Sequence, residues 1–564
     1  MKTPLLAAAL ASSALAACAT VPATETAQGP VEVQLLAIND FHGNLEIPQR
    51  AERFLDDAGE QREVRLGGAA RLAATLQSLR RENTLTVAAG DLIGASPLVS
   101  ALFLDEPSIR ALSDIGLDVA SVGNHEFDRG TDELRRIQSG GCERYTRRDP
   151  CAVETFEGAE FSYLAANVVA EDGSTLLPAT AMRDVDGLRI GFVGMTLKGT
   201  PDLVANSATA GYRFLDEAET ANRYAAELRR DGADAVVLLI HQGAEISPEF
   251  TTNACPLAGG DLVPIVAALD PSVSMVVSGH THDAYTCMLP NAAGEDVLVT
   301  SGGRYGGFVT DIALTIDPAT DTILSANARN VPVDGSAGTD DAISAYVARY
   351  AAAAGPVANR AIGTIADTGV LGEDCADRPE EGFIADAYYH GASAALGEPI
   401  DFAIVNSGGV RTDLSGASDG VLTYGELAAM APFGNGLIVL ELTGAQVKAL
   451  LEQQFETENG AGVVRDSALI PSRDMAWTVD LSRPDGQRIV GLTLDGEPLD
   501  PSRTYRMATN SFVAAGGDGF SVLADIEPLA NAGFDIDAIE AYVAAGRLTV
   551  PICGRVRGIR SPEL

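Results

Sequence analysis

Five of the six histidines in this 564-residue chain stand just after short apolar runs. His42 lies in "AINDFHGN", His125 in "DVASVGNHEFD", His241 directly after "AVVLLI", and His280 and His282 in "SMVVSGHTH". Only His390 lies elsewhere. The same run ends supply Asp40, Asp91 (in "AAGDLIGASP") and Asn124. Imidazole nitrogen with carboxylate and amide oxygen, and no thiolate, suits Zn²⁺, Mn²⁺, Co²⁺ or similar ions. Seven candidate ligands, Asp40, His42, Asp91, Asn124, His241, His280 and His282, are too many for one tetrahedral ion and suit two. A carboxylate shared between ions about 3.5–4 Å apart gives a clamp for the attacking and leaving oxygens of a phosphoryl displacement. His125 and Asp128 add a further pairing. A carboxylate beside an imidazole orients the ring and favours its protonated form. Such an imidazolium stabilises charge developing on a transferring phosphoryl group. The other reading of Asp128 is a helix N-cap.

The elements that would position these residues follow from hydrophobic patterning. "VQLLAI", "TLTVAAG", "DVASVG", "DAVVLLI" and "SMVVSG" read as buried strands, with helical segments such as "AARLAATLQSLRREN" and "AETANRYAAELRRDGA" between them. The alternation predicts layered α/β architecture, in which sites form at the carboxyl ends of strands. "DGSAGT" (334–339) marks a break, and "DDAISAYVARYAAAAG" reads as an amphipathic connecting helix. The expected organisation is a metal-binding domain over 31–333, a linker over 334–358 and a second α/β unit over 359–557. Two domains agree with a length beyond what one core usually supports.

Composition narrows the setting. Residues 1–18, "MKTPLLAAALASSALAAC", have the form of a secretory signal, with Leu15-Ala16-Ala17-Cys18 resembling a lipobox. Lipid modification at Cys18, a tether over 19–30, and an exported, periplasm-facing outer-membrane lipoprotein are expected, with membrane contact only through that anchor. Six cysteines remain: Cys142, Cys151, Cys255, Cys287, Cys375 and Cys553. An even number in an exported chain favours disulfides, with Cys142 and Cys151 near enough to close a local loop. The formal charge of −39 disfavours binding of nucleic acid duplexes. An anionic substrate would need local cations to overcome that field.

The order of "NDFHGN", "GDLIGASP", "GNHEFD", His241 and "GHTH" resembles the calcineurin-like metallophosphoesterases, and within them the bacterial 5′-nucleotidases and UDP-sugar hydrolases. The resemblance implies a four-layer α/β/β/α domain joined by a helix to a smaller α/β nucleotide-binding domain. It implies one ion on Asp40, His42 and His282, a second on Asn124, His241 and His280, and Asp91 between them, with His125 and Asp128 as the catalytic dyad and a metal-activated water as nucleophile. In the second unit, "FAIVNSGGVRTDL", "APFGNGL" and "TNSFVAAGGDGF" resemble the family's substrate elements. By that likeness Asn406 and Arg411 contact substrate, Phe433 and Phe512 sandwich the base, Asn435 meets its edge and Asp518 meets the ribose. "CADRPEEGFIADAYYH" is shorter than the family pattern, and Arg378 is its candidate second phosphate arginine. The implied reaction is hydrolysis of nucleoside 5′-phosphates, extending to di- and triphosphates or UDP-sugars. The alternatives are a 2′,3′-cyclic-nucleotide phosphodiesterase/3′-nucleotidase and a nucleotide-binding lipoprotein without catalysis.

Overall fold

A computed structural model describes residues 29–55, 59–146, 148–204, 206–247, 252–364, 379–412, 420–458, 461–465, 468–546 and 554–558. The expected signal, lipobox and Cys18, together with Arg378, Cys375 and Cys553, lie outside the described residues.

Alternation within the apolar runs accounts for the first domain. In the strand Val31–Ile38, Val31, Val33, Leu35 and Ala37 join one core, while Leu36 and Ile38 join another. Strand Ala235–His241 divides likewise, with Ala235, Val237 and Leu239 on one side and Val236, Leu238 and Ile240 on the other. A strand apolar on both faces must be covered on both. Two six-stranded sheets therefore pack face to face. In the first, Val31–Ile38 lies between the parallel strand Thr84–Ala89 and the antiparallel strand Phe308–Asp317, with Val119–Ser121 and Ser162–Leu164 beyond Thr84–Ala89. In the second, Ala235–His241 is central, flanked in parallel by Leu188–Thr196 and Met275–Ser278. Helices Ala69–Leu79 and Glu106–Ile115 contribute to the core outside the first sheet. Helices Glu217–Arg230 and Leu262–Ala267 do so outside the second. The result is the expected α/β/β/α layering.

Helix Asp341–Ala358 follows the 334–339 break and is started by Asp340, whose side chain accepts the N–H of Ile343. It buries Ile343, Val347, Tyr350 and Ala354 in the outer core of the first sheet, so it is packed along the metal-binding domain. Beyond it, a five-stranded sheet is ordered Leu469–Pro471, Phe402–Asn406, Thr504–Asn510, Gly436–Thr443, Ala530–Phe534, with helices Pro379–Leu396 and Asp535–Ala544 packed on it. A four-stranded sheet centred on Met475–Val479 and Ile489–Leu494 shares the same core. Cys142 is bonded to Cys151, as their spacing suggested, and Cys255 to Cys287. No helix among the described residues is long and apolar enough to cross a membrane.

Candidate dinuclear metal centre and substrate cleft

The strand ends of both sheets meet at one point. Asp40 and His42 follow Val31–Ile38, Asp91 follows Thr84–Ala89, and Asn124 follows Val119–Ser121. From the second sheet, His241 ends its strand, and His280 and His282 follow Met275–Ser278. His42 Nε2 lies 3.1 Å from His282 Nε2, 3.8 Å from Asp40 Oδ1 and 3.7 Å from Asp91 Oδ2. His241 Nε2 lies 2.9 Å from Asp91 Oδ2 and 3.9 Å from Asp40 Oδ1. His282 Nε2 is 3.4 Å from Asp40 Oδ1, and the His280 ring lies 5.2 Å from that of His241. Three overlapping triplets could each hold a cation: Asp40, His42 and His282; His42, Asp91 and His125; and Asp40, Asp91 and His241. Asp40, His42 and Asp91 each belong to two of them, and Asp91 Oδ2 faces both His42 Nε2 and His241 Nε2.

Whether this donor set fits divalent ions can be judged from its hydrogen bonds. His42 Nδ1 faces the Gly94 carbonyl at 2.9 Å and His241 Nδ1 the Ala89 carbonyl at 2.8 Å. A ring that donates through Nδ1 to a carbonyl presents Nε2 as a lone pair, which is how ligating histidines are held. The Oδ1 of Asn124 and Nε2 of His241 are buried without a hydrogen-bond partner, although the latter touches Asp91. Burial, outweighing the nearby carboxylates, holds His42 down to about 3 and, helped by His241, holds His280 down to about 4. Both rings are therefore neutral, as ligation requires. Burial opposes a charge on His241 too, but Asp91 and Asp40 lift it to about 10. The proton held there occupies the place a cation would take, so metal binding would release it. The residues fit.

The loops carrying these groups are tightly constrained. Asp40, His42, Asp91, His280 and His282 all adopt positive φ, between 46° and 77°. This region costs an ordinary residue about 1–2 kcal/mol and is characteristic of sites held by their surroundings. Gly123 admits no side chain because a Cβ there would strike the Asp91 carboxylate. A Cβ at Gly90 (φ 77°) would sit 2.7 Å from both the Gly123 nitrogen and His241 Nδ1. These contacts give the "GD" and "GN" pairs their steric reason. A residue not singled out from sequence ties the two loops together. The buried carboxylate of Glu126 accepts the backbone N–H groups of Asp91 (2.9 Å), Leu92 (2.8 Å), Ile93 (3.4 Å) and Gly123 (2.5 Å), and the hydroxyl of Tyr163 (3.1 Å). Burial and the Asp91 charge raise its carboxyl to about 7.

His125 Nδ1 lies 2.9 Å from Asp128 Oδ2. Burial disfavours the imidazolium, but Asp128 and Asp91 outweigh it and raise the His125 value. Asp128 caps the end of a single 3₁₀ turn, and Gly130 occupies the N-cap of the following helix. Its side chain is thus committed to His125 and not to an N-cap.

The second domain brings its predicted residues to the same place. A cavity of about 880 Å³ is lined by Asp91, Asn124, His125, Asp128, His280 and His282 from the first domain and by Asn406, Arg411, Phe433, Asn435, Phe512 and Asp518 from the second. The Phe433 ring stacks on His125 at 5.7 Å and 16°, with the Arg411 guanidinium 5.8 Å over its centre. Asn406, expected at substrate, is buried and donates to Asp518 Oδ2 at 2.7 Å while accepting from Asn510 at 2.9 Å. It therefore holds Asp518, which has φ 55°, as well as lining the cavity. Asn435 Oδ1 accepts from Ser511 Oγ at 3.4 Å. His390 lies away from the site, stacked on Tyr542.

Comparison with known proteins agrees with this geometry. The calcineurin-like phosphoesterase family matches residues 33–284, and the 5′-nucleotidase C-terminal domain matches residues 361–525. The chain is 32% identical over 540 residues to the cell wall protein Lmo0130 of Listeria monocytogenes, covering 88% of this chain and 65% of that one. It is 30% identical over 494 residues to the endonuclease YhcR of Bacillus subtilis, covering 86% of this chain and 37% of that one. The chain thus spans less than two thirds of either relative. The solved structure of a 5′-nucleotidase precursor from Thermus thermophilus shares the fold, with a TM-score of 0.72 at 24% identity, over 93% of this chain and 99% of that one.

Proposed function

The chain belongs to the calcineurin-like phosphoesterases that carry a 5′-nucleotidase C-terminal domain, and on that premise we propose that it hydrolyses nucleoside 5′-phosphates to nucleoside and phosphate. The observation that carries this reading is the single cavity lined by the candidate metal ligands on one wall and by Arg411, Phe433, Phe512 and Asp518 on the other. Asp40, His42 and His282 would hold one divalent ion, Asn124, His241 and His280 another, with Asp91 shared. Bound there, such ions supply positive charge to a phosphoryl group and acidify water.

The remaining steps belong to the chain's own side chains. Phe433 and Phe512 would flank the base, whose faces stack on aromatics irrespective of sequence. Asp518, steadied by Asn406, would accept from ribose hydroxyls. The fork of Arg411 would engage phosphate oxygens. His125, oriented through Nδ1 by Asp128, would present Nε2 to the phosphoryl group and stabilise the charge that builds on it. In this reading the protein is exported, and Cys18 anchors it to the membrane.

Phosphate release from AMP, ATP, UDP-glucose (with a coupled phosphatase) and 2′,3′-cyclic AMP tests the reading, with Mn²⁺, Zn²⁺ or Co²⁺ present and again after chelation. A single-stranded oligonucleotide belongs in the panel because one relative is named an endonuclease. Metal-dependent turnover of AMP, abolished in a folded Asp91→Ala protein, is expected. Turnover of the cyclic nucleotide or oligonucleotide without AMP would overturn it.

A further inference from the structure

The cleft holds cations that the reading above does not use. Arg304 lines it on the metal-domain side, with Arg50 just before the hairpin Glu52–Leu55/Gln61–Val64 and Arg53 in its first strand. In a chain with twice as many acidic as basic residues, 78 against 39, three guanidiniums on this wall match its outer carboxylates Glu52, Glu245 and Asp283 one for one, a local balance well above the chain's own. Arg304 is held in place: Nε and Nη2 donate to Glu52 Oε1 at 3.2 and 3.1 Å, and its guanidinium lies 5.1 Å over the Tyr305 ring. Tyr305 is itself fixed to the centre, its N–H donating to the Asp40 carbonyl at 2.6 Å and its ring 5.8 Å from His42 and 5.7 Å from His282. Arg304 and Arg411 line the same cavity as His280 and His282, from different domains. Arg50 and Arg53 are exposed, and among the described residues no side-chain hydrogen bond or ion pair engages them, Arg53 standing opposite Glu63 in the hairpin, whereas Glu52 is committed to Arg304. At about 880 Å³ the cavity is near the top of the usual range for small-molecule sites, roughly 300–1,000 Å³.

Resting on the proposed nucleotide hydrolysis, we infer that Arg304, with Arg50 and Arg53 at the rim, forms a second anion subsite on the metal-domain wall that receives a phosphate joined by an anhydride to the one at the metal centre. The subsite makes nucleoside diphosphates and their esters better ligands than monophosphates. Arg304 is the built part, since its stack and its Nε/Nη2 brace to Glu52 fix the guanidinium plane before substrate arrives, and a planar guanidinium on phosphate is a strong, directional contact. Arg50 and Arg53 add longer-range attraction that salt would screen.

Equilibrium binding of AMP and of the non-hydrolysable α,β-methylene analogue of ADP to the metal-loaded full chain tests this without relying on turnover. The quantity to follow is the ratio of the two affinities in wild type, Arg304→Ala and the double variant Arg50→Ala/Arg53→Ala. The expected result is that Arg304→Ala cuts the preference for the diphosphate analogue by about tenfold or more. The double variant should cut it severalfold at low salt, converging on wild type as salt rises. An unchanged ratio in Arg304→Ala overturns the inference, even if both ligands weaken together. If Arg304→Ala does not fold, the exposed pair decides, and a ratio there equal to wild type overturns it. Wild-type protein that binds neither nucleotide would instead sink the proposed function, a distinct outcome.

Discussion

Replacing Glu126 by Gln removes little volume and should nevertheless loosen the metal centre. Each carboxylate oxygen faces donors: Oε2 accepts from Asp91 and Gly123, Oε1 from Leu92, Ile93 and Tyr163. A glutamine amide puts an –NH₂ in place of one oxygen, so above about pH 7, where the wild-type carboxyl is ionised, in either orientation at least two buried N–H groups meet a donor in place of an acceptor. A buried donor left unsatisfied costs about 1–3 kcal/mol, and two bring the loss to about 2–6 kcal/mol. That cost falls on the junction of the 90–94 and 123–128 loops, where Asp91 and Asn124 are presented. It should therefore appear both in unfolding of the metal domain and in metal affinity. The assays are denaturant unfolding of the metal-free and metal-loaded protein and competition with a chelator of known affinity. The metal-domain transition should move to lower denaturant, and the ions should be surrendered at lower chelator concentration. A Glu126→Gln protein within about 1 kcal/mol of wild type in both assays would refute the view that this carboxylate sets the spacing of the ligand loops.

Other perturbations reach other parts of the site. A Cβ at Gly94 would press on His125 and on Asp128 Oδ2, so Gly94→Ala should lower kcat about a hundredfold, the scale of a misplacement near 1 Å, with metal content kept; unchanged turnover would count against the dyad. Phe512→Ala should weaken AMP by about 1–3 kcal/mol while sparing p-nitrophenyl phosphate, and equal losses on both substrates would argue against a base clamp. Asp105 is buried against Arg129, and although burial disfavours its charge, Arg129 holds its carboxyl below the ordinary value. A folded-state value below the unfolded one gives stability that is present above about pH 4 and lost as pH falls through the folded value. The melting-temperature gap between wild type and Asp105→Asn should therefore narrow as pH drops from 5 toward 2.5, and a widening gap would reverse the sign.

Much of the candidate centre was legible because its candidate ligands are punctuation. His42, His241 and His282 end or closely follow strands whose apolar runs are unmistakable, and two stacked sheets with strand ends facing one way leave those residues one place to meet. The disulfide between Cys142 and Cys151 was legible for a simpler reason, that its loop is short. What escaped reading depends on distance along the chain or on backbone shape. Glu126 looks like an acid in a first helical turn, and its role appears only when residues 91–93 fold over it. Arg304 is an ordinary loop arginine until Tyr305, whose ring lies beside that of His42 more than 260 positions away, brings it into the cleft. Asn406 was expected at the ligand, and the length that fits it to the cavity also lets it reach Asp518. The left-handed backbone at five ligand positions has no compositional signature beyond the Asp and His types that tolerate it.

The strand that introduces Asp40 and His42 is enclosed by Thr84–Ala89 on one side and by Phe308–Asp317 on the other. Of the three triplets that could hold a cation, only His42, Asp91 and His125 lie close together in the chain, whereas those with His241 and His282 draw on the second sheet as well. Since ions of this class compete for such donors and availability settles much of the choice, a pair of sites completed only when both sheets have met would draw its cations from the compartment where folding finishes. For a centre of this build, the place where the two sheets meet would bear on which metal it takes.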